Sequence, residues 1–120
     1  MSNKIHGGLR AAFNGFKETV VFERSFKIMM AVALVVIVAM FYFPTSRLEK
    51  VVLLFAVFSV LILELINTTI ERIMDMVSPA YDERVRVIKD LMAAIVLLAS
   101  FGSAVIGILI FWPYVFGLFR

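Results

Sequence analysis

The stretch VVLLFAVFSVLIL, residues 51–63, runs directly into ELINTTIERIMD, residues 64–75. The first part is fit for hydrocarbon. The second sets two glutamates, an asparagine and an aspartate into the same helical pattern. On a helix turning about 100° per residue, with Glu64 at zero, Asn67 falls near −60°, Thr68 near +40°, Glu71 near −20° and Asp75 near +20°. All share one face, and Leu65, Ile66, Ile70, Ile73 and Met74 fill the others. The result is a polar stripe that starts inside an apolar segment and leads out of it.

The rest of the chain has the same character. It holds 120 residues, of which 62% are hydrophobic, and its mean hydropathy is +1.01. That is far above a soluble composition, so the chain is read as one all-α integral-membrane domain over residues 1–120. Three apolar segments, 26–44, 50–75 and 89–113, are predicted to span a bilayer whose core of about 30 Å takes about 20 apolar residues. Pro44 and Pro113 close the first and third. Residues 1–25 carry charges before any long apolar run and are read as a retained segment rather than a signal peptide. Leu9, Phe13, Phe16 and Val20 recur on one face, which predicts an amphipathic helix lying in the membrane interface.

Loop charges set the predicted orientation. Lys4, Arg10, Lys17, Arg24 and Lys27 precede the first span, and Arg72, Arg84, Arg86 and Lys89 lie between the second and third. The positive-inside rule puts both regions in the cytoplasm and the C-terminus outside. There is no cysteine, which excludes disulfides and thiolate metal sites. The net charge of +3 is dispersed, which argues against a nucleic-acid partner. Phosphate-binding glycine loops, protein-kinase glycine loops and H-E-x-x-H zinc motifs are all missing.

Acidic groups in a membrane are expensive, about 2.5–3.5 kcal/mol for a central aspartate on insertion scales. Several on one face repel each other unless cations intervene. Mg²⁺ takes carboxylate oxygens together with phosphates and water, so carboxylates at the cytoplasmic edge point to a Mg²⁺–nucleotide site. Lys89 and Asp90, where the third span enters the membrane, and Glu23 in FERSFK (22–27), just before the first, fit such a site. A stripe that carries protons or cations through a transporter or channel subunit is the competing reading. It requires polar groups toward the outer leaflet, where residues 51–63 offer only Ser59.

Together, ERSFK (23–27), ELINTTIERIMD (64–75) and KDLMAAIVLLA (89–99) resemble the small integral-membrane kinases of bacteria, the prokaryotic diacylglycerol kinase family with its undecaprenol kinase branch. The resemblance covers Glu23 to about Ile110. It implies a homotrimer in the bacterial cytoplasmic membrane that uses ATP and Mg²⁺ to phosphorylate the primary hydroxyl of diacylglycerol or undecaprenol, with active sites shared between protomers. It further implies that Glu64 is the catalytic base, that Glu23 and Glu71 bind the metal, and that Asn67 organises the site. By the same resemblance, Asp75, Tyr81, Asp82, Lys89 and Asp90 lie on the nucleotide side, and Lys4 stands near a basic residue of the family. Asp82 stands where many members have histidine, Met92 and Ala93 replace a smaller pair, and Lys27 replaces a frequent arginine.

Overall fold

The computed structural model describes residues 2–117, with side chains from Gly7 onward, so the Lys4 side chain lies outside the described residues. Four helices follow in order: α1 (Ser2–Phe22), α2 (Arg24–Tyr42), α3 (Arg47–Val77) and α4 (Glu83–Val115). The last three are each long and apolar enough to cross a membrane.

Local chemistry explains where each helix stops. Between α1 and α2 a single residue, Glu23, adopts an extended conformation (φ −98°, ψ 111°). Its N–H still reaches Thr19 O and its carbonyl still accepts from the Lys27 N–H, so the break costs few backbone hydrogen bonds. Pro44 forbids continuation of α2. The turn behind it is closed by side chains: Thr45 Oγ1 donates to Met40 O at 2.8 Å and Lys50 Nζ to Thr45 O at 2.6 Å. The start of α3 is a capping box. The Glu49 N–H donates to Ser46 Oγ at 3.1 Å and the Ser46 N–H to Glu49 Oε1 at 2.8 Å.

At the other end, α3 closes on Ser78, whose N–H donates to Met74 O at 2.9 Å. Asp82 then caps α4, accepting from the Arg84 N–H at 2.9 Å. The helix runs through Pro113 to Val115 and ends at Gly117, whose φ of 68° is the left-handed conformation a helix stop favours.

α3 is the centre of the molecule. It packs against both α4 and α2, while α1 rests on α2. Its buried positions, Leu53, Ala56, Val60, Glu64 and Thr68, recur every three or four residues, so a single stripe faces its neighbours. Against it lie Phe26, Ala33 and Met40 from α2 and Met92 and Val96 from α4. Most other apolar side chains of the three long helices are exposed, among them Phe55, Leu97, Leu98 and Phe101. That surface suits hydrocarbon or neighbouring protein.

At 31 residues α3 is about 46 Å long, and α4 is longer still. Both exceed a bilayer core of about 30 Å, and their polar ends, Glu71–Asp75 and Glu83–Asp90, adjoin each other across a loop of only five residues, 78–82.

Candidate active site

Glu64 sits in the buried stripe of α3 and is only 3% exposed. One turn later Thr68 is buried as well. The hydroxyl of Ser25, in the first turn of α2, donates to Glu64 Oε1 at 2.7 Å. Next to Ser25 in the chain, Phe26 is fully buried and meets Phe16 of α1 edge-on, with ring centroids 5.6 Å apart. The α1–α2 elbow is therefore fixed against α3 at the level of the deepest carboxylate.

A second contact secures the same elbow. Arg72 Nη2 of α3 lies 3.0 Å from Glu23 Oε1 at the break itself. Between these two contacts, Asn67 Nδ2 makes a long hydrogen bond, 3.4 Å, to Glu71 Oε1. The other amide atom of Asn67, Oδ1, is buried and has no hydrogen-bond partner among the described residues. An unsatisfied buried acceptor costs about 1–3 kcal/mol, and such orphaned atoms are uncommon outside sites that take a ligand or water.

The nucleotide-side residues predicted from sequence gather at the same end of the bundle. Lys89 Nζ lies 2.5 Å from Asp75 Oδ1, which ties the start of α4 to the end of α3. Arg86 Nη1 reaches Asp90 Oδ2 at 2.6 Å and its other terminal nitrogen pairs with Glu83. The Tyr81 hydroxyl also donates to Glu83. Asp82 has a structural job: its carboxylate caps α4 and holds the Arg84 guanidinium, Nη2 to Oδ2 at 3.1 Å. Hydrogen bonds from the Arg84 side chain and then from its backbone N–H hold the Asp82 carboxyl below the usual aspartate range.

The stripe ends abruptly on the other side of Glu64. Ser59, the polar residue nearest to it toward the start of α3, turns its hydroxyl back to Phe55 O of its own helix at 2.7 Å. What lies there is an apolar cavity of about 410 Å³ among α2, α3 and α4. Its upper wall includes Met29, one turn beyond Ser25, and Val60 and Leu61, one turn before Glu64. Phe111 of α4 also lines it.

Among the described residues no group of three or more His, Asp or Glu side chains is arranged to hold a metal ion. Mg²⁺ carried by a nucleotide asks for less than that, commonly one or two carboxylates, with phosphate oxygens and water completing its shell. The orphaned Asn67 Oδ1 beside Glu71 is an acceptor of the kind a metal-bound water satisfies.

Two residues that matter to this geometry were missed in the sequence reading. Ser25 carried no signal of its own, a lone serine at a helix start. Arg72 counted only as one more cytoplasmic charge. Both act across elements, 39 and 49 residues from their partners, and no local pattern marks such pairings.

The family model of prokaryotic diacylglycerol kinase matches residues 10–111 of the chain. The undecaprenol kinase of Bacillus subtilis (strain 168) is 30% identical over 109 residues, which cover 91% of this chain and 85% of that protein. The matched segment takes in the elbow, the acidic stripe and the Lys89–Asp90 pair. With three helices able to cross a membrane and a match over most of its length, the chain belongs to the prokaryotic diacylglycerol kinase family and is a multi-pass membrane lipid kinase.

Proposed function

We propose that the protein transfers the γ-phosphoryl group of ATP, with Mg²⁺, to the primary hydroxyl of diacylglycerol or undecaprenol at the cytoplasmic face of a bacterial membrane. The observation that carries this reading is the position of Glu64: a buried carboxylate, hydrogen-bonded by Ser25, between a charged rim and an apolar cavity. A lipid alcohol has the same division, a polar hydroxyl on a hydrocarbon chain. The cavity suits the chain and the rim suits a triphosphate.

Phosphoryl transfer is mostly a matter of positioning and charge neutralisation. In the proposed mechanism Glu64 accepts the hydroxyl proton as the new O–P bond forms, and ADP leaves as the old one breaks. Glu23 and Glu71 are the carboxylates that would hold Mg²⁺, which when bound neutralises phosphate charge. Glu23 is paired with Arg72, so holding Mg²⁺ there would require this arginine to give up the contact. Lys89, paired with Asp75, is the cation that would pass to phosphate oxygens. Tyr81, Asp82 and Asp90 belong to the nucleotide side of the same rim.

The rim is open, and most of the long helices' apolar surface is uncovered. A homotrimer, with neighbouring protomers completing each site, agrees with both features. The exposed Leu9 and Phe13 of α1 agree with a helix lying in the interface, and the basic residues before α2 with a cytoplasmic N-terminus.

Radiolabelled ATP offered with diacylglycerol or undecaprenol in mixed micelles tests the proposal. Mg²⁺-dependent labelling of one lipid alcohol is expected, and the ratio of initial rates identifies it. Absence of label from both, with ATP bound, would overturn the assignment of acceptor.

A further inference from the structure

We propose that Ser25 is a positioning residue for the Glu64 carboxylate, setting which of its oxygens takes the proton of the lipid hydroxyl; this rests on the lipid-kinase mechanism above. Among the described residues, Ser25 supplies the one hydrogen bond that Glu64 accepts, 2.7 Å from Oγ to Oε1. A carboxylate that is 3% exposed has little water to orient it. Without a donor it can rotate about its terminal torsion, which is broad and roughly two-fold. With Oε1 committed to Ser25, Oε2 is the oxygen left for the substrate.

The donor is itself held. Ser25 lies between two residues anchored against other helices. Glu23 is paired with Arg72 of α3, and Phe26 is fully buried against the bundle. The serine hydroxyl is thereby placed by contacts that do not depend on Glu64. Its position two residues after the candidate metal ligand Glu23 also gives the elbow a second task, since one turn of chain registers both the metal-side carboxylate and the base against α3. Proton transfer requires heavy atoms at about 2.6–3.2 Å in the reacting geometry, and small misplacements of a catalytic group cost large factors in rate.

The test compares the full-length protein in mixed micelles as wild type, Ser25→Ala, Ser25→Thr and Glu64→Gln, with thermal unfolding recorded for each. Ser25→Ala is expected to lower kcat about tenfold to hundredfold, a part of the factor a general base supplies. KM for lipid and for ATP should stay within about threefold of wild type, because the hydroxyl acts on the base and not on binding. Ser25→Thr, which keeps the hydroxyl, should restore kcat, and adding Ser25→Ala to Glu64→Gln should cause no further loss.

Wild-type kcat in Ser25→Ala would overturn the proposal. So would a loss confined to KM, or a Ser25→Thr protein as impaired as Ser25→Ala at equal thermal stability. If the alanine variant does not fold, Ser25→Cys serves in its place, since a thiol is a weak donor of similar size, and the same kcat loss is expected. Undiminished turnover in Glu64→Gln would instead remove the parent mechanism, so the two failures are told apart.

Discussion

Arg72 of α3 holds Glu23 at 3.0 Å, across the single extended residue that separates α1 from α2. The pair closes the elbow and occupies a carboxylate that the proposed mechanism gives to Mg²⁺. Both partners are partly exposed, and exposed ion pairs contribute about 0–1 kcal/mol. Arg72→Ala should therefore shift the thermal midpoint little. It should also lower the Mg²⁺ concentration that half-saturates activity, because a competitor for Glu23 is gone. An unchanged or higher Mg²⁺ requirement would count against this exchange.

Lys89 and Asp75 join α4 to α3 at 2.5 Å. If the lysine passes to phosphate, Lys89→Met removes a charge-assisted hydrogen bond of about 1.5–3 kcal/mol. KM for ATP should rise roughly tenfold or more, as 1.4 kcal/mol is a factor of ten, while KM for the lipid stays near wild type. Equal changes in both constants would point to a disturbed helix pair instead.

The opposite end of the bundle should be separable from activity. Tyr114 donates its hydroxyl to Glu49 Oε1 at 2.5 Å, linking the end of α4 to the capping box that starts α3. Tyr114→Phe should lower the unfolding midpoint, since one hydrogen bond between the helix ends is lost, and leave kcat and both KM values unchanged. A large loss of activity at full stability would show that this end of the bundle takes part in turnover.

Asp82 sets an acid limit on the start of α4. Its carboxyl is held below the ordinary aspartate range by Arg84. A depressed value stabilises the folded state above the unfolded value, near pH 4, and that contribution is lost as pH falls through the lower folded value. Asp82→Asn keeps a good helix cap but has no charge to titrate. Its unfolding midpoint should fall less steeply than wild type below about pH 4, and the two should differ little in slope between pH 6 and 8. Identical acid profiles would remove Asp82 from this role.

The helices and the stripe were legible for clear physical reasons. Hydropathy finds segments that hydrocarbon accepts, and Pro44 ends α2 where sequence predicts. Helix ends set by capping were not found that way. α3 starts at Arg47, inside a capping box, and α4 at Glu83, behind the Asp82 cap, both earlier than the apolar segments at 50 and 89. The stretch between the predicted spans, 76–88, is therefore mostly helix, and only residues 78–82 connect α3 to α4. The periodicity of the acidic stripe could be drawn on a wheel because it lies on one helix. The Ser25–Glu64 and Glu23–Arg72 contacts could not, because they depend on how α2 settles against α3.

The central claim is that Glu64 is the base that takes the lipid hydroxyl's proton. Glu64→Gln, nearly isosteric and able to accept from Ser25, should bind nucleotide as wild type does and lose about 10²–10⁴-fold in kcat. Phosphorylated lipid formed by this variant at the wild-type rate would contradict the account.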